Sequence, residues 1–510
     1  MSSNDAFQDP TAEPEAKPAK KSGGATGKGA PDAPPPSIDE IRAQVSASLE
    51  ALDPETPIAA TVTFPVDPAK ESTFLRNIDT LAEATRRLPG LNVFSYHKRQ
   101  SADPKAAPHY LIYEDWQSRV LFQTQWSSEH LKTFQYSVGD LLTGPPDLVF
   151  YYGSDDVGGA RPARTGQKQC WNTAGQVIDC RGSGQDGESQ AGVAFPEPRF
   201  GDNGNGTVTD HLTGLIWLLD ADAFGEVTWA DALHKANTLA TGQAGLSDGS
   251  QRGDWRLPNI RELRSLIDYS QVNPILPAGH PFRRVRSAIY WTSTTLAAAP
   301  RLAWMTTLGI GPAVFDLKIN SCRMWPVRGG LGRSARLCRT GQQQCWDTLG
   351  NEISGEGSGQ DGDLQIGVHF PTPRFVDNGD GTVMDKLTEL VWLKNGNPFG
   401  FRTWEQALAD CQRLGDGDSG LSDGSRPGSW RLPNVTEIET LIDYGKFGPC
   451  LPQGHPFVNV VPTSYWTSTT VTSAPTQAMF TILGVGPSIF ENKEHPFLVW
   501  PVRDGRRQNR

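Results

Sequence analysis

The sequence has no long apolar run and no excess of basic residues. No stretch approaches the ~20 consecutive apolar residues that span a bilayer, and acidic residues outnumber lysine and arginine to give a net charge of −10. This charge argues against a nucleic-acid partner and against anionic membrane surfaces, because both favour basic patches. The N-terminal region also lacks the hydrophobic segment of a secretory signal. We therefore expect a cytoplasmic protein, with export by a route that needs no signal peptide left open.

Cysteine is scarce, with seven residues among 510, and an odd number forbids complete internal pairing. Zinc sites need four Cys or His ligands at short spacings, which these cysteines do not offer. Cys170 and Cys180 lie ten positions apart, so they are the pair expected to form a disulfide if the protein meets an oxidising space. Otherwise we expect free thiols, and we expect no cofactor.

One phrase occurs twice, as DWRLPNIRELRSLIDY at 254–269 and as SWRLPNVTEIETLIDY at 429–444. Trp255 and Trp430 lie 175 positions apart, and landmarks from Trp217 to Trp325 recur at the same offset. A constant offset means two complete copies of one domain with no net insertion between them. The copies are expected at 165–330 and 331–510.

The repeated phrase predicts a strand that ends at a proline, followed by a capped helix. Pro258 lacks an amide hydrogen and favours an extended residue before it. Asn259 suits a helix N-cap, and Glu262 three residues later completes a capping box. Apolar residues then recur on one face of the predicted helix, and the second copy repeats the pattern.

The region before the repeats predicts a different unit. Residues 1–40 contain almost no large apolar residue and should form a disordered tail. Residues 41–153 alternate strand and helix patterns in the order β-α-β-β-α-β, which is the ferredoxin-like split unit. A Gly-marked linker is expected at 154–164.

This first unit resembles the antibiotic-biosynthesis-monooxygenase family. The residues that carry the resemblance are Thr85-Arg86, Glu114 and Trp116 in Y-E-D-W, and Ser128, His130 and Phe134 in S-S-E-H-L-K-T-F. The resemblance implies a dimeric α+β barrel, built by pairing two such sheets. It also implies relatedness to cofactor-free oxygenases of quinol-like substrates and to heme-degrading enzymes.

The candidate catalytic residues of this unit are His130, Trp116, Trp126 and Glu114. His130 can act as a general base or bind a substrate, and the two indoles can line an apolar pocket. A heme role is disfavoured, because Tyr136 stands where heme-degrading members keep a histidine ligand. The alternative is that His130 is an exposed helical residue and that both tryptophans pack in the core.

The repeats resemble the C-terminal domain family named for the Legionella collagen-like adhesin. The phrases that carry the resemblance are D-N-G-[ND]-G-T-V, L-x-W, T-W-x-x-A, W-R-L-P-N-x-x-E-[LI], Y-W-T-S-T and the closing V-R. The resemblance implies an elaborated C-type-lectin-like α+β domain, found mostly in surface adhesins and displayed binding proteins. The named adhesin binds sulfated polysaccharide, but this chain lacks collagen repeats, so the ligand is left open as an unknown protein or a polysaccharide.

The repeats offer two kinds of candidate site. Asp377 and Asp380 are weak calcium candidates, because Gly379 and Gly381 stand where a calcium loop needs oxygen ligands, and a tight turn explains the pattern better. Arginine is frequent at binding hot spots. Four arginines that follow landmark positions are therefore candidate ligand-binding residues, with a structural role as the alternative: Arg256, Arg431, Arg328 and Arg503.

Taken together, the sequence predicts an α+β protein with a ferredoxin-like domain and two tandem C-type-lectin-like domains. We expect a multivalent, non-enzymatic binding or assembly protein that is a homodimer or larger through its first domain. The alternative is a cofactor-independent monooxygenase of a quinol-like aromatic, with the repeats as accessory binding domains.

Overall fold

A computed structural model describes residues 38–50, 52, 58–86, 88, 91–99, 108–116, 118–152, 159–329 and 335–505. The predicted tail falls outside these ranges except for residues 38–40, and so does the predicted linker up to residue 158. None of the helices in these ranges is both long and apolar enough to cross a bilayer.

Among its described residues, the first unit has four strands and four helices. In chain order they are α1 (Ile38–Glu50), β1 (Ile58–Pro65), α2 (Glu71–Thr85), β2 (Leu91–Arg99), β3 (His109–Trp116), α3 (Arg119–Ser127), α4 (Glu129–Val138) and β4 (Asp147–Tyr152), with 3-10 turns at Pro68–Lys70 and Gly139–Leu141. The strands form one antiparallel sheet in the order β2-β3-β1-β4. This is the ferredoxin-like arrangement, which confirms the predicted order of elements.

The second α of the predicted β-α-β-β-α-β order is two helices, α3 and α4. Ser128 has an extended backbone, with φ of −68° and ψ of 148°, and its hydroxyl accepts a hydrogen bond from the amide of Leu131. Because it ends α3 and caps α4, the two helices can change direction there. Helix α2 buries Phe74, Ile78 and Leu81, which recur on one of its faces, against the sheet.

The elements of repeat 1 are β5 (Cys170–Trp171), β6 (Val177–Ile178), α5 (Asp186–Ser189), β7 (Phe200–Asp202), β8 (Thr207–Asp210), β9 (Leu215–Leu218), β10 (Glu226–Thr228), α6 (Trp229–Thr238), α7 (Ile260–Ser265), β11 (Ile289–Thr295), β12 (Leu302–Thr307), β13 (Ala313–Leu317), β14 (Ser321–Arg323) and β15 (Val327–Gly329). They form a β5-β6 hairpin and two sheets, with orders β10-β14-β11-β12-β13 and β15-β9-β8-β7.

Repeat 2 reproduces these elements 175 positions later, except for β10 and β14. They are β16 (Cys345–Trp346), β17 (Glu352–Ile353), α8 (Asp361–Leu364), β18 (Phe375–Asp377), β19 (Thr382–Asp385), β20 (Leu390–Leu393), α9 (Trp404–Arg413), α10 (Val435–Thr440), β21 (Ser464–Thr470), β22 (Gln477–Ile482), β23 (Ser488–Asn492) and β24 (Val502–Asp504). Where repeat 1 has the short β10-β14 pair, repeat 2 has a single bridge between Arg402 and Phe497.

The repeated phrase folds around its predicted cap. Asn259 accepts a hydrogen bond from the amide of Glu262, whose carboxylate accepts one from the amide of Asn259. The same capping box is present at the start of α10. The predicted strand before the cap was wrong, because the extended segment pairs only at one bridge, between Arg256 and Val327. Pro258 has no amide hydrogen, so the ladder cannot continue past it.

The two repeats exchange their N-terminal segments. We call residues 160–190 strap 1 and residues 335–365 strap 2. The side chain of Gln167 in strap 1 accepts a hydrogen bond from the amide of Thr470, at the end of β21 in repeat 2, with 3.1 Å between N and O. Gln342 in strap 2 makes the same contact with Thr295 of repeat 1, at 2.8 Å. Each strap therefore lies across the sheet of the other repeat.

Further apolar and polar contacts hold the straps in place. Ala160 of strap 1 packs in one buried cluster with Leu387 of repeat 2. At the equivalent place, the amide of Ala335 donates to the carbonyl of Leu212, at 2.9 Å. Because the contacts come in matched pairs, the two repeats are related by an approximate two-fold axis and form one packed unit.

Candidate functional sites

A buried polar network lies between the sheet and the helices of the first unit. Glu114 is 8% exposed, and its carboxylate accepts a hydrogen bond from Trp116 Nε1, at 2.9 Å. Desolvation by burial raises the pKa of Glu114 to about 7, although hydrogen bonds from Trp116 and Gln125 oppose the rise. At neutral pH this carboxyl group is therefore poised to gain or lose a proton.

Gln125 joins this carboxyl group to His130. Its amide nitrogen donates to Thr85 Oγ1 at 2.9 Å, and its Oε1 lies 2.7 Å from His130 Nε2. Since an amide oxygen only accepts, Nε2 carries the proton and Nδ1 is the basic atom. Burial lowers the pKa of His130, which favours the neutral ring. Sequence reasoning missed Gln125, whose only signal was an amide on the buried face of α3, three residues after Phe122.

Both candidate tryptophans of this unit pack in its core. Trp116 is fully buried and meets Phe122 edge-on, with ring centroids 6.1 Å apart. Trp126 stacks on the same ring at 5.9 Å, and the guanidinium of Arg42 in α1 lies 5.4 Å from its centroid. The structure thus brings Glu114, Trp116 and His130 into one region, and whether they act on a substrate stays a prediction.

The four candidate arginines of the repeats all meet carboxylates of their own repeat. Arg256 makes a two-pronged ion pair with Glu262, with both N–O distances 2.6 Å, and so joins the capping box described above. Arg431 pairs in the same way in repeat 2. Arg328 lies 2.9 Å from Asp248 and 5.2 Å from the ring of Trp255. Arg503 has equivalent contacts with Asp423 and Trp430.

The calcium and cysteine candidates also have assigned contacts. Asp377 accepts from Lys394 Nζ at 2.7 Å and Asp380 accepts from the hydroxyl of Thr382 at 2.6 Å, so both carboxylates stabilise the turn. No group of three or more His, Cys, Asp or Glu side chains able to hold a metal occurs in the described ranges. Cys170 and Cys180 form a disulfide, with Cα atoms 5.2 Å apart, and this bond closes a loop within strap 1.

Each strap carries one buried aspartate at the contact between repeats. Asp186 accepts hydrogen bonds on Oδ2 from Thr165 and from Thr469 of repeat 2, both at 2.7 Å. Asp361 accepts from Thr294 of repeat 1, at 2.6 Å. Burial raises the pKa of both aspartates to about 6, because the charged form is poorly solvated there.

Each repeat carries one buried lysine beneath the strap of the other. Lys318 lies 4.0 Å above the ring of Trp229 and donates to the carbonyls of Trp346 and Asp347 in strap 2, at 3.1 and 3.2 Å. Lys493 makes equivalent contacts with Trp404 and with the carbonyl of Trp171 in strap 1. Burial lowers the pKa of both lysines to about 7.

An equivalent cleft opens beside each strap. Cleft 1, of about 870 Å³, is bordered by strap 1, by the F-P-E-P-R-F segment at 195–200 and by Pro277–His280. Cleft 2, of about 270 Å³, is bordered by the matching parts of repeat 2, including 370–375 and 452–455. Sequence reasoning missed both clefts because their walls come from segments far apart in the chain.

Each cleft has a buried arginine, at the same position in its repeat. Arg199 is 5% exposed and makes a two-pronged ion pair with Asp210, with both N–O distances 3.1 Å. Its guanidinium lies 4.5 Å from the ring of Phe195 and 4.8 Å from that of Phe200. Arg374 pairs with Asp385 in the same way at cleft 2. Because each arginine is neutralised by its aspartate, the charge of each cleft is set by the other side chains on its walls.

The chain is thus a ferredoxin-like α+β domain followed by two strapped copies of a second α+β domain. The family model described as Antibiotic biosynthesis monooxygenase matches residues 57–136. The family model described as Lcl C-terminal domain matches residues 206–328 and again 381–503. Both resemblances expected from the sequence are confirmed. Both straps lie outside the segments that these models match.

Solved structures similar to the chain match about a fifth of it. One is described as a putative antibiotic biosynthesis monooxygenase from Nitrosomonas europaea, with 24% identity, 20% of this chain and 93% of that chain covered, and a TM-score of 0.17. A protein of the same description from Caulobacter crescentus has 21% identity, coverages of 21% and 96%, and a TM-score of 0.18. Among curated proteins, none matches the chain.

Proposed function

We propose that this chain is a non-enzymatic binding or assembly protein that presents two ligand clefts on one strapped pair of repeats. The observation that carries the proposal is the duplicated cleft, with the same buried arginine and the same bordering segments in both copies. Each cleft lies beside a strap that also contacts the other repeat, so the two clefts are held together. Two joined sites raise the avidity for a ligand that reaches both.

We further propose that the first unit forms a homodimer, so that the assembly carries four clefts instead of two. Helices α2, α3 and α4 cover one face of its sheet, and alternate strand residues point to the other face. Leu111 on β3 and Val149 on β4 lie on that other face, beside Thr61 and Thr63 of β1. The occupant proposed for this face is the sheet of a second copy, as the family resemblance implies.

The experiment is light scattering of the full chain, with Leu111→Arg and Val149→Arg as variants. A dimeric mass for the wild type and a monomeric mass for both variants are expected. Val120→Arg is the matched control, because Val120 is 46% exposed on α3, away from this face. A strictly monomeric wild type would contradict the proposed homodimer.

Three further proposals concern the fold of each repeat, the limits of the domains and the location of the protein. Each repeat is proposed to have an elaborated C-type-lectin-like fold, supported by helices such as α7 that pack against the antiparallel strands β11 and β12. The domain limits are proposed at 41–153, 165–330 and 331–510. The location is proposed to be cytoplasmic, with export by a route that needs no signal peptide as the alternative that the Cys170–Cys180 disulfide favours, and cell fractionation tests this.

A second candidate function is that of a cofactor-independent monooxygenase. The observation that favours it is the linked set of Glu114, Gln125 and His130, in which one buried carboxyl group has a pKa near neutrality. His130 Nδ1 would accept the proton of a quinol-like hydroxyl group, and the quinolate would then react with oxygen. Oxygen uptake with simple quinols tests this proposal, with His130→Ala as the variant and Lys132→Ala on the same helix as control. Absence of uptake, or uptake unchanged in His130→Ala, would exclude it.

A further inference from the structure

The two straps differ in one covalent bond. In strap 1, Cys170 and Cys180 form a disulfide, which is the only one in the described part of the chain. In strap 2, Cys345 occupies the position of Cys170, but Gly355 stands in place of Cys180, so the thiol of Cys345 is free. The straps therefore make matched contacts with and without a crosslink, and each serves as a comparison for the other.

The disulfide ties together the two lengths of strap 1 that hold repeat 2. The first length leads to Trp171, whose carbonyl accepts a hydrogen bond from Lys493 of repeat 2 at 3.2 Å. The second length leads to Asp186, which accepts from Thr469 of repeat 2 at 2.7 Å. The side chain of Gln185 also joins the two lengths, because it bonds to both the amide and the carbonyl of Trp171, each at 3.0 Å. The crosslink thus reinforces a join that hydrogen bonds alone make in strap 2.

Strap 1 has less apolar area than strap 2 with which to stay in place. Helix α8 of strap 2 packs against β11 of repeat 1. Leu364 in this helix and Ile366 just after it are both partly buried, whereas the matching residues of strap 1 are the smaller Ser189 and Ala191. Since buried apolar area stabilises a contact, the covalent bond of strap 1 offsets what its smaller side chains do not supply.

The two sulfur atoms of the disulfide differ in exposure. Cys170 is 0% exposed, whereas Cys180 is partly exposed, so a thiolate from solution reaches the sulfur of Cys180. Attack there releases Cys170 as a thiolate, and Ser183 Oγ, 3.6 Å from Cys170 Sγ, donates a hydrogen bond to it. Exposed disulfides are the ones that thiols reduce most readily. The bond is therefore placed for exchange rather than sealed in the core.

We propose that the Cys170–Cys180 bond is a redox latch that sets how firmly strap 1 holds repeat 2. One molecule of a small thiol forms a mixed disulfide with Cys180 and releases Cys170, which takes up a proton. A second molecule attacks the mixed disulfide, leaves as the disulfide of the reductant, and releases Cys180 as a thiol. Two electrons and two protons pass to strap 1 in this exchange. The reverse exchange with a small disulfide closes the latch in an oxidising space.

The latch also governs one wall of cleft 1. Lys168, Gln169 and Trp171, on the length of strap 1 that leads into the disulfide loop, border this cleft. Loosening of strap 1 removes that wall, whereas cleft 2 is bordered by strap 2, which has no such bond. Redox control of ligand binding in cleft 1 rests on the proposed function. The hold of strap 1 on repeat 2 does not depend on a ligand.

The test is hydrogen–deuterium exchange of the full chain, read by mass spectrometry before and after reduction with dithiothreitol. The amide of Thr470 reports on strap 1, because it donates to Gln167, and the amide of Thr295 reports on strap 2, because it donates to Gln342. A crosslink restricts the open strap, so reduction should speed exchange in strap 1 and at Thr470 by about tenfold or more. Exchange in strap 2 and at Thr295 should not change. Unchanged exchange in strap 1, or an equal change in both straps, overturns the proposal.

Two substitutions locate the effect on the bond. Cys180→Ser leaves Cys170 without its partner, so strap 1 should exchange as in the reduced wild type, with or without dithiothreitol. Gly355→Cys places a thiol beside Cys345, since a Cβ at this position would lie 3.1 Å from Cys345 Sγ. Strap 2 should then gain protection that reduction removes. Cys322→Ser is the control, because Cys322 is a free thiol outside both straps. If strap 1 of Cys180→Ser exchanges as slowly as in the oxidised wild type, the latch is excluded.

These outcomes are separable from those of the proposed function. The mass measured by light scattering tests the homodimer and does not depend on the disulfide. A dimer whose strap 1 does not respond to reduction would overturn only the latch. A monomer whose strap 1 does respond would support the latch and contradict only the homodimer.

Discussion

Arg264 and Glu439 occupy the same position in the two repeats and form an ion pair with each other. Arg264 Nε lies 3.0 Å from Glu439 Oε2, and both side chains are largely buried, with 4% and 12% of their areas exposed. A residue that meets its own counterpart must lie at the approximate two-fold axis. Two identical copies would place like charges in contact there, so the divergence of this position into arginine and glutamate allows the repeats to close on each other.

The first prediction concerns this axial pair. Arg264→Glu leaves two carboxylates facing each other in a buried contact, and breaking a buried ion pair typically costs about 3–5 kcal/mol. Arg264 also donates to the carbonyl of Gly311 and the hydroxyl of Tyr269, which adds to the loss. We expect a lower denaturation midpoint in urea, followed by tryptophan fluorescence.

The double variant Arg264→Glu with Glu439→Arg tests whether the loss of stability comes from the repulsion between like charges. It should recover part of the lost stability, because opposite charges meet again. Arg413→Ala, which removes an exposed partner of Asp410, is the control and should leave the midpoint unchanged. If the charge-reversed pair is no more stable than Arg264→Glu alone, the axial contact does not hold the repeats.

The second prediction concerns pH and the strap aspartates. The pKa of Asp186 is raised from 3.8 to about 6 in the fold, so the folded state holds a proton that the unfolded chain has lost. The contribution of Asp186 to the free energy of unfolding should therefore be complete below about pH 3.8. It should fall as pH rises from there through about 6, by up to about 3 kcal/mol. Asp186→Asn should remove this fall, since a neutral amide replaces the carboxyl group.

The measurement is the free energy of unfolding at several pH values between 4 and 7, as the difference between wild type and variant. Asp179→Asn is the control, because Asp179 is an exposed carboxylate of the same strap. A difference between wild type and Asp186→Asn that does not change over this range would contradict the buried position of Asp186 between the repeats.

The third prediction concerns the buried lysines. The pKa of Lys493 is lowered from 10.5 to about 7, so between these values the unfolded chain binds a proton that the folded chain does not. Stability should therefore rise as pH increases from about 7 to about 10.5. Lys493→Met should flatten this rise, and Lys446→Met, at an exposed site, should not. Thermal melts across this pH range would measure it, and equal slopes in both variants would contradict it.

The fourth prediction concerns the close approach of strap 1 to its own repeat. A Cβ on Gly166 would lie 2.1 Å from Asp268 Oδ1, and the φ of Gly166 is +91°. Gly166→Ala therefore combines backbone strain with a clash that costs typically about 1–3 kcal/mol. Gly182→Ala has the same kind of strain, with a φ of +73°, but nothing within 4 Å of the added Cβ.

The comparison of these two alanine variants isolates the clash. Urea titration should show that Gly166→Ala lowers the free energy of unfolding by more than Gly182→Ala does. Equal losses of stability would show that the strap does not pass this close to Asp268.

Local structure could be predicted from the sequence where short-range chemistry decides it. The capping boxes at Asn259 and Asn434 and the buried stripe of α2 depend on residues a few positions apart. The constant offset also predicted matching elements in the two copies, and the structure reproduces them. In contrast, the ending of α3 at Ser128 depends on one residue that caps the next helix, and the pattern alone did not separate the two helices.

The exchange of straps could not be predicted, because a repeated sequence offers each strap two equivalent partners. Asp186 bonds to Thr469, although Thr294 has the same neighbours in sequence. Which copy a segment packs against is decided by the whole fold and leaves no local signal. The clefts were missed for the same reason, and Gln125 was missed because a single buried amide does not stand out in an amphipathic helix.

The exchange of straps is tested most directly by cutting the chain between the repeats. A protease site placed between Gly329 and Ala335 would separate the two copies covalently, while each strap stays attached to its own repeat. Because each strap packs on the other repeat, light scattering after complete cleavage should still find one species with the mass of the uncut protein. Two separate species under the same native conditions would contradict it.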